Sequence, residues 1–175
     1  MGFLKEHSFF IAQIIGFCAM AMAIISYQQR KRKHILTFQL ICAALWALHF
    51  LTLGNMTACV VNGLSAVRCV VYFCKEKQKW AQHIVWPCLF FVASIAAGVL
   101  TWESAWSLLP MCGMMISTVG LWQNNPKVLR LQSLPVSVVW LVYDTVFQSY
   151  AGVCNEIFLI ISVCLALYRL DYKKK

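Results

Sequence analysis

Seven apolar runs, each close to the length of one membrane crossing, take up nearly all of this 175-residue chain, at 8–27, 34–53, 56–74, 84–101, 104–122, 129–148 and 151–169. A helix needs about 20 such residues to cross roughly 30 Å of hydrocarbon at about 1.5 Å per residue. The runs lack the ten-residue alternation and regular turn signals of a membrane barrel, so helices are the reading. Charged residues make up 12% of the chain, about half the ~25% usual for soluble domains. The expected class is an all-α polytopic membrane protein. The short tails and loops leave no stretch for a separate catalytic or sensory module.

The first run is longer than a secretory signal core and ends in Arg30-Lys31-Arg32-Lys33 instead of a small-residue cleavage site, so it is read as a retained span. Met1-Gly2 invites N-myristoylation, but Glu6 stands where Ser or Thr is needed.

Basic residues set the expected orientation. If the seven runs alternate in direction, Lys5 lies alone on the side of the N-terminus. The other side holds Arg30 to Lys33, then Lys75, Lys77 and Lys79, then Lys127 and Arg130, and finally Arg169 and Lys173 to Lys175. Arg68 falls inside a run. Basic loops stay in the cytoplasm, which places the N-terminus outside and the C-terminus inside. A net charge of +9 then reflects anchoring at anionic lipid headgroups, not nucleic-acid binding. Trp102 and Trp106 near one boundary, and Tyr27, Trp80, Trp122 and Tyr168 near the other, suit interfacial belts.

The runs also repeat. Met20…Tyr27-Gln28-Gln29 matches Met115…Trp122-Gln123-Asn124 at an offset of 95, and Trp46-Ala-Leu-His49 matches Trp140-Leu-Val-Tyr143 at an offset of 94. Each half then makes a tight turn, Leu53-Gly54-Asn55-Met56 and Ser149-Tyr150-Ala151-Gly152. The run 84–101 has no counterpart. As a single crossing between the halves, it lets residues 1–79 and 104–175 take the same orientation. The expected organisation is a first three-helix unit at 1–79, a linker segment at 80–103 and a second unit at 104–175, with the linker at the periphery contributing nothing to a central site.

With those repeats in place, His49-Phe50-Leu51-Thr52-Leu53-Gly54, Ala66-Val67-Arg68, and Leu108-Leu109-Pro110 leading to Ile116-Ser117-Thr118 make the chain resemble the YgjV-type bacterial inner-membrane proteins of the SWEET and PQ-loop superfamily. The resemblance implies a 3+1+3 SWEET-like arrangement in the cell inner membrane, and transport of a sugar or similar small polar solute by rocking of the two units. It also implies that Asn62 and Asn155, on the third helix of each unit, contact the solute. The sequence departs from that pattern. Tyr27-Gln28 and Trp122-Gln123 keep the Gln of the PQ motif without its Pro, and of the helix prolines only Pro110 and Pro135 are present, both in the second half.

Ionisable groups inside a bilayer cost about 2.5–3.5 kcal/mol each on insertion scales, so each needs a partner or a cavity. His49, Asp144, Asn155, Glu156 and Asn62 all fall about 6–9 Å from the expected outer ends of their runs. Their shared depth suggests an outward-opening polar pocket, walled by Trp46 and Trp140. The alternative is a set of interhelical hydrogen bonds worth about 0.6 kcal/mol each, His49 with Asp144 among them. Arg68 lies deeper, about 18 Å in, where it snorkels, pairs with a carboxylate or meets solute. Asn155 or Glu156 is the equivalent of Asn62, depending on whether the offset is 93 or 94.

The nine cysteines show no metal-ligand spacing, and no nucleophile set, phosphate loop or cofactor motif is present. No metal, cofactor or enzymatic activity is expected. The leading expectation is a facilitator of a small polar solute, with Asp144 or Glu156 as a candidate proton site. The alternative is a non-transporting membrane sensor or scaffold. The sequence leaves room for a homo-oligomer.

Overall fold

The computed structural model describes residues 2–102 and 104–173, with side chains from Ser8 onward. Expectations resting on the side chains of Lys5 and Glu6, and on Glu103, Lys174 and Lys175, lie outside the described residues. Among the described residues seven α-helices and no strands occur: α1 Gly2–Tyr27, α2 Arg32–Thr52, α3 Met56–Cys74, α4 Val85–Leu100, α5 Leu108–Trp122, α6 Pro126–Val146 and α7 Tyr150–Ala166. A single helical turn at Ala105–Ser107 leads into α5, and a wider π-type turn at Leu167–Tyr172 continues α7.

Some helices depart from the expected runs, and at α6 capping chemistry is responsible. α6 begins at Pro126, three residues ahead of the apolar run, because the Asn125 side chain accepts from Lys127 N and Pro126 occupies the first turn, where its missing amide costs nothing. α5 begins at Leu108, after the turn at 105–107, with Pro110 in its first turn. Pro110 is therefore a helix starter and not a mid-helix hinge, whereas Pro135 does interrupt the interior of α6.

Five helical stretches are long and apolar enough to cross a membrane: 8–27, 32–52, 56–74, 105–122 and 150–172. α4 is apolar but has 16 residues. α6 has 21 residues but is diluted by Gln132, Ser133, Ser137 and Asp144. The apolar surface points outward. Phe10, Ile14 and Phe17 of α1, Val92 and Val99 of α4, and Phe158 and Ile161 of α7 are all exposed, a continuous cover that suits lipid and not water.

Six helices close into a ring. α1 packs on α2, α2 on α3, α3 on α5, α5 on α6, α6 on α7, and α7 back on α1. α4 lies outside, against α3 and α5, and buries one stripe made by Pro87, Phe90, Ser94, Ala97 and Gly98. At α4's far end the Thr57 hydroxyl of α3 donates to the carbonyl of Thr101. We call the end of the ring with the 28–31 and 123–125 loops the basic end, and the end with the 53–55 and 147–149 turns the far end.

The two far-end turns are built alike. Asn55 N donates to Phe50 O at 2.9 Å and Ser149 N donates to Asp144 O at 2.9 Å, while Leu53 N bonds His49 O and Phe147 N bonds Tyr143 O. Each turn contains one residue in the left-handed region, Gly54 at φ 76° and Gln148 at φ 54°. Asn55 and Ser149 then cap α3 and α7. Every equivalent pair is 94 positions apart. Counting from the caps, Asn62 stands where Glu156 does, not where Asn155 does.

These turns yield a paired prediction. Gly54→Ala forces a Cβ into the left-handed region and lowers stability by about 1 kcal/mol, while Gln148→Gly relieves the same conformation and raises it by about 0.5–1 kcal/mol. Thermal unfolding of the purified protein in one detergent reads both signs.

Candidate functional site

The ring encloses a cavity of about 110 Å³, well above the ~10–15 Å³ that one water needs by the same measure. All six ring helices line it and no residue of α4 does. The lining follows helical spacing: Gln39, Cys42, Trp46 and Phe50 on α2, Asn62, Ser65, Arg68 and Cys69 on α3, and Ser133, Ser137, Trp140 and Asp144 on α6.

Towards the far end, Asp144 of α6 meets Asn155 and Glu156 of α7. Asn155 Nδ2 donates to Glu156 Oε1 at 2.7 Å, and all three residues are at least nine-tenths buried. Asp144 fits because Gly152 of α7 has no side chain: a Cβ there would lie 2.5 Å from both carboxylate oxygens. Asp144 Oδ1, Glu156 Oε2 and Asn155 Oδ1 have no hydrogen-bond partner among the described residues. Among the described residues neither carboxylate takes part in an ion pair. Asn62 donates to Ala58 O of its own helix at 2.9 Å.

Deeper in the cavity, Arg68 is 3% exposed and reaches across to α5. Its guanidinium donates to Met114 O at 3.1 Å, Ser117 Oγ at 2.8 Å and Thr118 Oγ1 at 2.7 Å, with Ser65 Oγ of its own helix at 3.4 Å. Each of these acceptors is neutral, and Nε has no partner among the described residues. From Asn62 to Arg68 is six residues, about 9 Å along α3. The cation and the carboxylates thus occupy different levels of one cavity.

Aromatic rings wall the far-end part. Phe50 lies between the two tryptophans, 5.9 Å from Trp140 at an interplanar angle of 27° and 5.9 Å from Trp46 at 31°. Tyr143 stands edge-on to Phe50 and Trp140 and donates its hydroxyl to Asn55 Oδ1 at 2.8 Å.

His49 shares the depth of this group but does not line the cavity. Its ring is fully buried between α1 and the start of α7. Nδ1 donates to Ala12 O at 2.7 Å, and Nε2 meets Ser149 Oγ at 2.9 Å. Since Ala12 O can only accept, the Nδ1 proton is fixed. His49 therefore ties helices together, as the interhelical alternative had it, although its partners are Ala12 and Ser149.

At the basic end two buried arginines make matching contacts. Arg32, at the start of α2, donates to Leu121 O in the last turn of α5, to Gln123 O just past it and to Tyr72 O of α3, and pairs with Glu76 at 3.4 Å. Arg130, near the start of α6, donates to Tyr27 O at the end of α1 and to Gln29 O just past it, and pairs with Asp171 at 2.8 Å. Each guanidinium satisfies carbonyls that a helix C-terminus leaves unpaired. The two glutamines serve differently: Gln28 Nε2 donates to Ser162 O and Oγ of α7, while Gln123 contributes its backbone carbonyl.

Sequence reasoning brought Asn62, Asp144, Asn155, Glu156, Trp46, Trp140 and Arg68 to this region, and the structure places all seven on the cavity. It missed Tyr27, Phe50, Ser133 and Ser137, which also line it. The signal was there in α6, where 133, 137, 140 and 144 fall on one helical face. Among the described residues no group of three His, Cys, Asp or Glu is placed to hold a metal ion.

The contrast between tie and lining can be measured. His49→Ala leaves the Ala12 carbonyl unpaired in a packed seam and costs about 2–4 kcal/mol. Asn62→Ala removes a side chain bonded only to its own helix and costs less than about 1 kcal/mol. Melting temperatures of the two variants in one detergent give the comparison.

A family model described as a bacterial inner membrane protein, Imp-YgjV, matches residues 10–174. No curated protein and no solved structure matches the chain. With that match across nearly its whole length, and with its apolar helices, the chain belongs to the Imp-YgjV family and is a multi-pass protein of the bacterial inner membrane.

Proposed function

We propose that the protein is a transporter of a small polar solute that works by alternating access. In this reading α1–α3 and α5–α7 are two like-oriented three-helix units, α4 is the linker that reverses the chain between them, and all seven helices cross the bilayer. The observation that carries the reading is the cavity itself: bounded by six helices, lined by both units, and furnished with buried polar atoms that have no partner among the described residues. Polar atoms left so within a bilayer cost several kcal/mol each unless a cavity or solute serves them.

Two further features support rocking between units. Exchanging α1 with α5, α2 with α6 and α3 with α7 carries the ring's packing pattern onto itself. Arg32 and Arg130 bond the carbonyl ends of the opposite unit, so the two units are latched at the basic end. With that end in the cytoplasm, as the lysines and arginines favour, the N-terminus is outside and the latches form the inner gate. Because none of the charged side chains that line the cavity forms an ion pair among the described residues, facilitation is the mode proposed.

Three measurements test this. Protein reconstituted in liposomes accelerates the exchange of at least one small polar solute over empty vesicles, and Asp144→Asn with Arg68→Gln abolishes it; no flux for any of a broad solute panel overturns transport. Arg32→Gln with Arg130→Gln opens the latched end, so that an impermeant thiol reagent applied there modifies the cavity residues Cys42 and Cys69 several-fold faster, read residue by residue by mass spectrometry. Unchanged labelling removes the latch from the mechanism. A reporter fused at the C-terminus is active in the cytoplasm, and activity only outside reverses the orientation.

A further inference from the structure

The cavity holds a cation and two carboxylates that do not meet. Buried charges in a membrane protein ordinarily pair with one another, since each alone carries a desolvation penalty of several kcal/mol. Here Arg68 is held by neutral acceptors, Met114 O, Ser117 Oγ and Thr118 Oγ1, and keeps Nε unbonded. Asp144 and Glu156, at the other level of the same cavity, keep one oxygen each unbonded and, among the described residues, meet no arginine or lysine. The two arginines that do find carboxylates, Arg32 with Glu76 and Arg130 with Asp171, lie outside this cavity at the basic end.

From this separation we infer that the solute is a small zwitterion, its anionic group facing Arg68, its cationic group facing Asp144 and Glu156, and its apolar part against Trp46 and Trp140. The inference rests on the cavity being the solute site of the proposed transporter. A guanidinium offers a planar fork of donors that fits a carboxylate bidentately. Two adjacent carboxylates suit an ammonium, or a quaternary nitrogen that the tryptophan faces also attract. A neutral polyol would offer an opposite charge to neither end of the cavity, and a solute with a single charge would offer one to only one end. The serines on the walls, Ser65, Ser117 and Ser137, supply neutral contacts that do not alter this balance.

The test compares matched ligands on the intact protein in nanodiscs. Proline, γ-aminobutyrate and glycine betaine serve as zwitterions. Pyrrolidine presents a cation alone, cyclopentanecarboxylate an anion alone, and glucose neither. Binding is measured by displacement of the thermal transition and by calorimetry. At least one zwitterion should bind tenfold or more tighter than pyrrolidine, cyclopentanecarboxylate and glucose. Arg68→Gln should abolish its advantage over pyrrolidine while Arg68→Lys retains part of it, and Asp144→Asn with Glu156→Gln should abolish its advantage over cyclopentanecarboxylate. The wild-type comparison stands even if a variant fails to fold. Tighter binding of glucose or of a singly charged analogue overturns the inference, as does the absence of binding by all three zwitterions. Flux of a neutral solute in liposomes without zwitterion binding sinks this inference and leaves transport intact, whereas zwitterion binding without flux of any solute does the reverse.

Discussion

Helices in a bilayer have no hydrophobic reason to prefer each other over lipid, so a ring with a hollow centre must be held by close packing and polar ties. The demand is greatest at the two seams that no short loop joins, α3–α5 and α1–α7. At the first, Arg68 reaches three acceptors on α5, Tyr72 donates to Thr118 O, and Lys75 donates to Trp122 O at 2.7 Å while lying over its ring. At the second, Gln28 holds Ser162, Gln13 accepts from Ala151 N, and His49 joins Ala12 to Ser149. Gly16 lets α1 come close enough that a Cβ there would lie 2.6 Å from Ala151. The arginines at the basic end complete both seams. Without these ties the cavity would have no walls.

The same residues connect fold to chemistry. Arg68 is at once a seam tie and the cavity's cation, so its position is over-determined by α5 while its Nε finds no acceptor among the described residues. Asp144 supplies a backbone carbonyl to the turn before α7 and a side chain to the cavity. Rigid placement of this kind is what a binding site requires, because a group whose rotamer is already fixed loses little freedom when solute arrives.

The helices were legible from the sequence because hydrocarbon thickness imposes a length on apolar runs: seven runs near that length became seven helices, and five helical stretches are long and apolar enough to cross. Their ends were less so, since Asn125 and Pro126 begin α6 through capping chemistry outside the apolar run. The cavity was legible through its expensive residues: a buried Arg, Asp or Glu stands out against an apolar background. The serines did not, because a hydroxyl can bond its own helix at little cost. His49 was misplaced because depth is set by counting along the helix, whereas facing inward depends on the angle around it. One residue from Phe50 on the helix, His49 turns towards α1. The register of Asn62 against Glu156 could be decided only by the caps at Asn55 and Ser149, which are structural and not compositional.

α4 covers the α3–α5 seam and leaves the α1–α7 seam facing lipid directly. At 16 residues α4 spans about 24 Å, against about 31 Å for the 21 residues of α2 and α6. In the proposed topology, where α4 crosses as the linker, a hydrocarbon layer meeting so short a helix must thin beside it, at a fraction of a kcal/mol per ångström of mismatch. That elastic strain falls on one flank of the ring alone. Bilayer thickness therefore acts as a lopsided lateral load, pressing on the seam that carries Arg68 and sparing the one that carries His49.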